Sequence, residues 1–185
     1  MNEKHHIPAS AKNSMSIDVD VELLASAVDS VKDSIIITDT QLDEPGPRII
    51  YVNPAFTEMT GYTAQDVIGK SPRFLQGPKT DRRVLDDIRS KLASNQSFEG
   101  KAVNYRKDGS TFINEWRIKP IVLNGSSETY FVAIQRDVTE REKITQALED
   151  KNRVLSELLQ QKDRVVSELL QQIEREKLKN KEIET

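Results

Sequence analysis

An eleven-residue repeat near the C-terminus of the 185-residue chain constrains the fold more than any other feature. The segment RVLSELLQQKD, residues 153–163, is followed directly by RVVSELLQQIE, residues 164–174. A period of eleven over three helical turns gives about 3.67 residues per turn, which favours a straight or slightly right-handed coil. The repeat therefore predicts a long helix with apolar residues along one side. The first copy of the repeat contributes Leu155, Leu158 and Leu159 to this apolar side. Eleven residues earlier, the equivalent positions are Ile144, Ala147 and Leu148.

This apolar stripe indicates that the predicted helix, residues 139–178, has a helical partner. A solitary helix would leave its leucines, valines and isoleucines in water, whereas a second helix would cover them. We therefore expect a parallel homodimeric coiled coil; the alternative is a helix that folds back on its own domain. After Ile173 the stripe gives way to Glu and Lys, so residues 179–185 are predicted to be a polar tail.

The distribution of apolar residues places one globular domain between about Val19 and Val138. Residues 1–16 are polar and are expected to form a flexible arm. A net charge of −3 gives no electrostatic reason for a nucleic-acid partner, and no apolar run of about 18 residues predicts a membrane span. The sequence has no cysteine, which excludes disulfides and thiolate metal sites and is compatible with a cytoplasmic location.

A short amphipathic cap helix is predicted over residues 17–33, ahead of the domain core. Asp18 or Asp20 can cap its first turn, and its apolar residues recur at steps of three and four. This stripe must cover either the domain's own sheet or a partner subunit, and we expect the helix to contribute to a homodimer. The stripe comprises Val21, Leu24, Val28 and Val31.

The core is predicted to combine strands with short helices in an α+β fold. The expected strands span residues 34–39, 48–52, 100–105, 111–123 and 128–137. Helical signals begin at Asn53 and Thr63, and a longer amphipathic helix is expected over residues 81–95. Two hairpin signals, Lys107-Asp108-Gly109 and Asn124-Gly125, separate the last three strands, which should therefore be antiparallel.

Three carboxamide side chains are predicted to converge on one face of this sheet. Alternation puts Asn114 and Trp116 on the face of their strand opposite to charged residues, so these two should line the interior. The last strand has apolar residues on both faces, which leaves open whether Phe131 and Gln135 point inward. With Asn104 on a neighbouring strand, the amides need partners, because each unsatisfied polar group costs roughly 1–3 kcal/mol. A planar heterocycle with carbonyls and ring nitrogens would supply them.

Several short motifs in this core resemble the PAS domain family. They are specific as a set, although each is weak alone. The order of two strands, short helices and three antiparallel strands also matches that family. The resemblance implies a PAS fold, with a five-stranded antiparallel sheet, over residues 34–138. The motifs are Asn53-Pro54-Ala55-Phe56, Thr60-Gly61-Tyr62, Arg106-Lys107-Asp108-Gly109 and Arg136-Asp137-Val138-Thr139.

The stretch GKSPRFLQGPKTD, residues 69–81, resembles the flavin-binding signature of LOV (light-oxygen-voltage) domains within that family. Ser71 stands where the signature has asparagine, and Pro72 stands where it has the cysteine that registers light. Because the sequence contains no cysteine, the cysteinyl adduct of such domains cannot form. Ser71 and Pro72 also suit the N-cap and first turn of a short helix.

The LOV resemblance implies roles for six side chains around FMN, and Ser71 together with two residues placed by strand geometry brings the candidate set to nine. The three amides would bond to the edge of the isoalloxazine ring, and Gln76 and Ser71 would lie near the ribityl chain. Two arginines would contact the phosphate, and FAD would require an open mouth beside them. Trp116 could donate an electron to the ring or serve only in packing. The candidate set is Ser71, Arg73, Gln76, Arg89, Asn104, Asn114, Trp116, Phe131 and Gln135.

These features predict a cysteine-less LOV-type sensor that signals by chemical or photochemical reduction of a flavin. Gln135, whose amide has donor and acceptor ends, would relay the change through the last strand to the coiled coil. A downstream effector such as a histidine kinase would receive it. The alternative is a PAS dimerisation module that binds no flavin. No Ser-His-Asp set, metal cluster or phosphate loop is recognisable in the sequence, so we expect no enzymatic activity.

Overall fold

The computed structural model describes residues 20–123 and 127–183. Its centre is one antiparallel sheet in the order β2-β1-β5-β4-β3, which confirms the predicted five-stranded α+β fold. The helices between β2 and β3 cover one face of this sheet, and the last helix leaves from its central strand β5. The strands are β1 Ser34–Thr38, β2 Ile49–Val52, β3 Phe98–Tyr105, β4 Thr111–Val122 and β5 Thr129–Asp137.

The helices begin at the capping residues that the sequence predicts. Asn53 accepts a hydrogen bond from the Phe56 amide, with Pro54 in the first turn. Thr63 and Asp66 form a reciprocal capping box. A 3-10 helix, Pro72–Leu75, has Ser71 as its N-cap, which confirms the structural role expected of Ser71 and Pro72. The α-helices are α1 Val21–Asp29, α2 Pro54–Thr60, α3 Ala64–Val67, α4 Arg82–Ala93 and α5 Thr139–Ile183.

Helix α1 ends at Asp29, before the C-terminal limit of the predicted segment 17–33. The reason is the buried side chain of Asn53, whose amide donates to the carbonyls of Val28, Val31 and Asp33. These bonds turn the chain toward β1 instead of extending the helix. None of the helix's own residues is buried, so its apolar stripe lies open in the single chain.

The inner face of the sheet carries the side chains that the alternation predicts. Phe112, Asn114 and Trp116 of β4 are buried, while the residues between them are more exposed. On β5 the structure settles the open choice, because Phe131 and Gln135 are buried together with Ala133. Their outward neighbour Ile134 is 40% exposed. The three strands β3, β4 and β5 therefore present one continuous inner surface.

The hairpin between β3 and β4 forms where Lys107-Asp108-Gly109 predicts it. Arg106 and Ser110 are joined through their backbones, and Gly109 adopts a φ of +82°, which favours glycine. The predicted Asn124-Gly125 turn lies outside the described residues. Strand β3 begins at Phe98, two positions before the predicted start, because that side chain is 2% exposed and packs with Ala102 and Trp116.

Helix α5 is a single helix of 45 residues, which is about 68 Å long at 1.5 Å per residue. Its first turns contact the sheet through Lys101–Glu142 and Glu115–Arg141 ion pairs. Beyond them the apolar stripe stays uncovered, with Leu158 57% exposed and Leu169 53% exposed. The helix does not fold back on its own domain. Within the described ranges, no helix combines the length and apolarity needed to cross a membrane.

Candidate ligand-binding site

A cavity of about 400 Å³ lies between the inner face of the sheet, helix α4 and the 3-10 helix. This volume falls within the range of pockets that hold cofactors and small ligands. The structure brings eight of the nine predicted site residues to its wall, although they come from three strands, helix α4 and the 3-10 helix with its two flanking residues. These eight are Ser71, Arg73, Gln76, Arg89, Asn104, Trp116, Phe131 and Gln135.

Asn114, the ninth residue, lies behind the wall and joins two of the others. Its Nδ2 donates to Oδ1 of Asn104 at 3.0 Å and to Oε1 of Gln135 at 3.1 Å. The three amides therefore do converge, as predicted from the alternation. In this structure Asn114 orients the other two amides, and a direct contact from Asn114 to a ligand stays a prediction.

Two buried polar atoms near this amide cluster have no hydrogen-bond partner in the structure, the Oδ1 of Asn114 and the Oγ of Ser34. Ser34 lies directly opposite Gln135 in the β1–β5 ladder, so its hydroxyl neighbours the same amide. Buried groups of this kind are normally satisfied, so the region suits a guest with donors and acceptors. The sequence interpretation did not include Ser34; its only sequence signal is a polar residue at the inward end of an apolar strand.

The rest of the inner wall is apolar and aromatic. Trp116 and Phe131 face the cavity from β4 and β5, and Ala133 lies between Phe131 and Gln135 on β5. Trp116 is 6% exposed and its ring centroid lies 6.5 Å from that of Phe98. A cavity with aromatic walls and amides at one end suits a flat heterocycle with polar atoms along one edge.

Arg73 and Arg89 both lie at the mouth of the cavity, and both already have partners. Arg73 donates to Oε1 of Glu44 at 2.5 Å and to the Leu42 carbonyl at 3.0 Å. Arg89 donates to Oδ1 of Asp43 at 2.7 Å and to the same Leu42 carbonyl. The sequence interpretation expected both guanidinium groups at a phosphate, and it did not include this loop. Their position at the mouth fits that role once the acidic partners move aside.

Gln135 connects the polar end of the cavity with the region at the start of α5. Gln135 also borders an open cleft that contains Ser34, Arg106 and Asp137. The carboxylate of Asp137 accepts from the Thr139 amide and hydroxyl, and from Arg106 at 2.5 Å. Burial acts to raise the pKa of Asp137, but the bonds from Thr139 and Arg106 outweigh it, and the pKa is lowered.

No cluster of His, Cys, Asp or Glu suited to a metal ion occurs among the residues that the structure describes. The comparisons with protein families give one clear match. The model of the PAS domain family matches residues 32–140, which is more than half of the chain. The matched range begins just before β1 and ends in the first turn of α5.

The relatives include several blue-light receptors. A blue-light-activated histidine kinase of Rhizobium johnstonii is 33% identical over 157 residues, covering 84% of this chain and 45% of the kinase. One of Brucella anthropi is 39% identical over 132 residues, covering 71% of this chain and 26% of the kinase. The chain therefore spans less than half the length of these relatives.

Solved structures of light-oxygen-voltage proteins are also similar to this chain. The LOV domain of a blue-light activated histidine kinase from Erythrobacter litoralis is 35% identical, with a TM-score of 0.54; the alignment covers 59% of this chain and 98% of that domain. An RNA-binding light-oxygen-voltage receptor is 30% identical, with a TM-score of 0.64, and covers 80% of this chain and 42% of the receptor.

Proposed function

The chain belongs to the PAS domain family as a domain of the LOV type, and on this basis we propose that it is a flavin-binding sensor that works without a cysteine. The observation that carries the proposal is a cavity with three converging amides at its inner end and two arginines at its mouth. FMN matches this arrangement in chemical type, and FAD would extend past the arginines. A bound flavin would supply blue-light absorption and redox chemistry.

Signalling in this chain has to proceed without a covalent sulfur bond. The sequence contains no cysteine, and the position where LOV domains have one is occupied by Pro72, which lines the cavity. Trp116 is buried on the same wall and is the best-placed side chain to donate an electron. We therefore assign reduction of the flavin, whether chemical or photochemical, as the event that starts signalling in this domain.

Gln135 is the proposed start of the output route. Its Oε1 accepts from Asn114, and its amide group can present either a donor or an acceptor to the cavity. It lies on β5, two residues before Asp137, whose carboxylate holds Thr139 and Arg106 at the start of α5. A rotation of the Gln135 amide would therefore disturb the bonds that fix the direction of α5.

The output element is proposed to be a parallel homodimer formed by α5, with a contribution from α1. Both helices carry apolar side chains that no other residue described by the structure covers. Because the relatives that it matches include histidine kinases, an effector of that class is the partner that we propose. RNA binding is not carried over from the RNA-binding neighbour, because this chain covers 42% of that receptor and has a net charge of −3.

One observation favours a second function, that of a PAS dimerisation module with no ligand. The amide of Asn114 donates to those of Asn104 and Gln135, and Asn104 donates to the Val103 carbonyl, so part of the hydrogen-bonding capacity of the three amides is used without a guest. The partnerless Oδ1 of Asn114 and the remaining cavity weigh against this alternative. The two functions differ in a property that is simple to measure, the uptake of flavin.

We expect the purified chain to retain FMN at about one per chain after gel filtration, measured by the visible absorption of the protein peak. Asn114→Leu should weaken FMN binding by about 5- to 10-fold, because it removes the donor that orients two amides. Asn152→Leu, the same change in exposed α5, should bind as the parent does. A colourless chain that takes up no FMN would support the dimerisation module instead.

A further inference from the structure

Three consecutive residues, Leu42, Asp43 and Glu44, lie at the mouth of the cavity, and we call them the acidic loop. Its two carboxylates pair with two different arginines, Glu44 with Arg73 and Asp43 with Arg89. The carbonyl of Leu42 accepts from both guanidinium groups and so joins them. The loop therefore occupies the cationic groups that would otherwise be free for an anion.

The chain around the acidic loop is shaped to lie close to this mouth. Gly46 adopts a φ of +103°, which favours glycine, and a Cβ atom there would meet Ser71 Oγ at 2.7 Å and Arg73 Nε at 2.8 Å. The approach of this loop to Arg73 is thus possible only without a side chain at position 46. The backbone conformation at Gly46 therefore helps to hold the loop beside Arg73, and the ion pairs do not depend on side-chain flexibility alone.

The two ion pairs are weak enough to exchange. The side chains of Asp43 and Glu44 are 82% and 88% exposed, and such pairs contribute little in water. A phosphate monoester carries more charge and can accept two parallel bonds from an arginine. It would displace the carboxylates at a moderate cost, while a ligand without a phosphate would leave them in place.

We propose that the acidic loop sets the ligand specificity of the cavity by competing with a phosphate group for Arg73 and Arg89. The proposal rests on the proposed flavin function and deepens it. The loop reduces the advantage of a phosphorylated flavin over the same ring system without phosphate. Asp43 and Glu44 are the specificity-determining residues, and the two arginines are the groups for which they compete.

The test compares FMN with riboflavin, which differ by the phosphate alone, on the full chain. Dissociation constants are measured by fluorescence titration for the parent and for the Asp43→Asn, Glu44→Gln double variant. The variant should bind FMN about 5-fold more tightly, because two exposed ion pairs no longer compete, and riboflavin equally well. An unchanged FMN affinity, or an equal gain for both ligands, would overturn the proposal.

A matched control separates pairing from bulk charge. Asp86 also lies at the mouth and is exposed, and no ion pair with an arginine is seen for it among the described residues. Asp86→Asn should therefore give clearly less than half of the double variant's gain in the free energy of FMN binding. An equal gain per charge removed would mean that only net charge matters, and the competition would be rejected.

A second measurement keeps the two proposals distinguishable. Inorganic phosphate is titrated into protein with 15N-labelled arginine, and the Nε resonances of Arg73 and Arg89 are followed. In the double variant both should shift at a lower phosphate concentration than in the parent. If neither flavin binds but this difference appears, the flavin function fails and the competing loop stands. If both flavins bind and the difference is absent, the loop proposal fails alone.

Discussion

At the scale of single residues, Gln135 occupies the position from which a local change can reach the rest of the molecule. It faces the cavity, is bonded to Asn114, and borders the cleft that leads to Asp137. An amide can reverse its donor and acceptor ends by one side-chain rotation, at the cost of any bond that it leaves unpaired. Leucine has a similar volume but has neither a hydrogen-bond donor nor an acceptor in its side chain.

We predict that Gln135→Leu removes the difference in α5 between the oxidised and reduced forms of the flavin-loaded protein. The difference is measured as hydrogen exchange of residues 139–150, with dithionite as the reductant. In the parent protein, the amides of this segment should exchange several-fold faster in one of the two redox forms than in the other. The reason is that reduction disturbs the bonds between Asp137 and the start of α5. Gln41→Leu, the same change in an exposed loop outside the cavity wall, should behave as the parent. An unchanged difference in Gln135→Leu would exclude this residue as the relay.

The amide cluster could be predicted from the sequence, whereas the partners of the two arginines at the mouth could not. Alternation within a strand fixes which side chains share a face, so the sequence predicts that the three amides converge, although the apolar residues on both faces of β5 leave the inward position of Gln135 for the structure to decide. The partners of the arginines depend instead on loop geometry across 29 residues for Arg73 and 46 for Arg89. No periodicity links such positions, and a charged residue in a turn is normally solvated.

At the scale of elements, the junction between β5 and α5 is held mainly by one carboxylate. Asp137 bonds to the amide and hydroxyl of Thr139 and to Arg106, and the Thr139 hydroxyl in turn accepts from the Ile113 amide. This arrangement caps the first turn of α5 and ties it to β4. The motif that resembles the PAS family at this position thus has a physical role in starting the helix.

We predict that Asp137→Asn lowers the free energy of unfolding at pH 7 by about 0.5–1.5 kcal/mol, because asparagine can still cap the turn but loses the charge-assisted bond from Arg106. The folded pKa of Asp137 is lowered from 3.8, so its contribution is present above that value and declines as the pH falls below it. The stability difference between parent and variant should therefore shrink below about pH 4. Urea unfolding at pH 7 and pH 3 measures it.

The control for this change is Asp150→Asn, which removes an exposed pair with Arg153 in the middle of α5. It should alter stability by a few tenths of a kcal/mol at most, since exposed pairs within a helix are weak. Equal effects of the two variants, or a pH-independent effect at Asp137, would mean that the carboxylate does not hold the junction.

The ends of the helices and strands also divide into two groups, those determined by adjacent residues and those determined by residues distant in sequence. Caps such as Thr63 and the Gly109 turn follow from adjacent residues, so the sequence predicts them well. The end of α1 depends on Asn53, more than twenty positions later, and the start of β3 depends on Phe98 packing against Trp116. Both are tertiary effects, which no local pattern contains.

At the scale of the whole molecule, the chain combines a closed sensor domain with a helix that is incomplete by itself. The sheet, α2 and α4 bury the core, while α5 extends about 68 Å with its leucines in water. An isolated amphipathic helix of this kind is expected to pair, because burial of each leucine contributes about 1.5–3 kcal/mol. A signal that reaches the junction can then change how two such helices pack.

We predict that the chain is a dimer in solution and that Leu158→Lys with Leu169→Lys makes it a monomer. These leucines are equivalent positions of the eleven-residue repeat, and two charges there would have to be desolvated in the paired state. Light scattering coupled to gel filtration gives the mass directly. Gln160→Lys with Gln171→Lys adds the same charge on the opposite side of the helix and should leave the dimer intact. A monomeric parent chain would contradict the proposed dimer, and a dimer that survives the leucine changes would place the subunit contact elsewhere. In either case the route from Gln135 would need another output element.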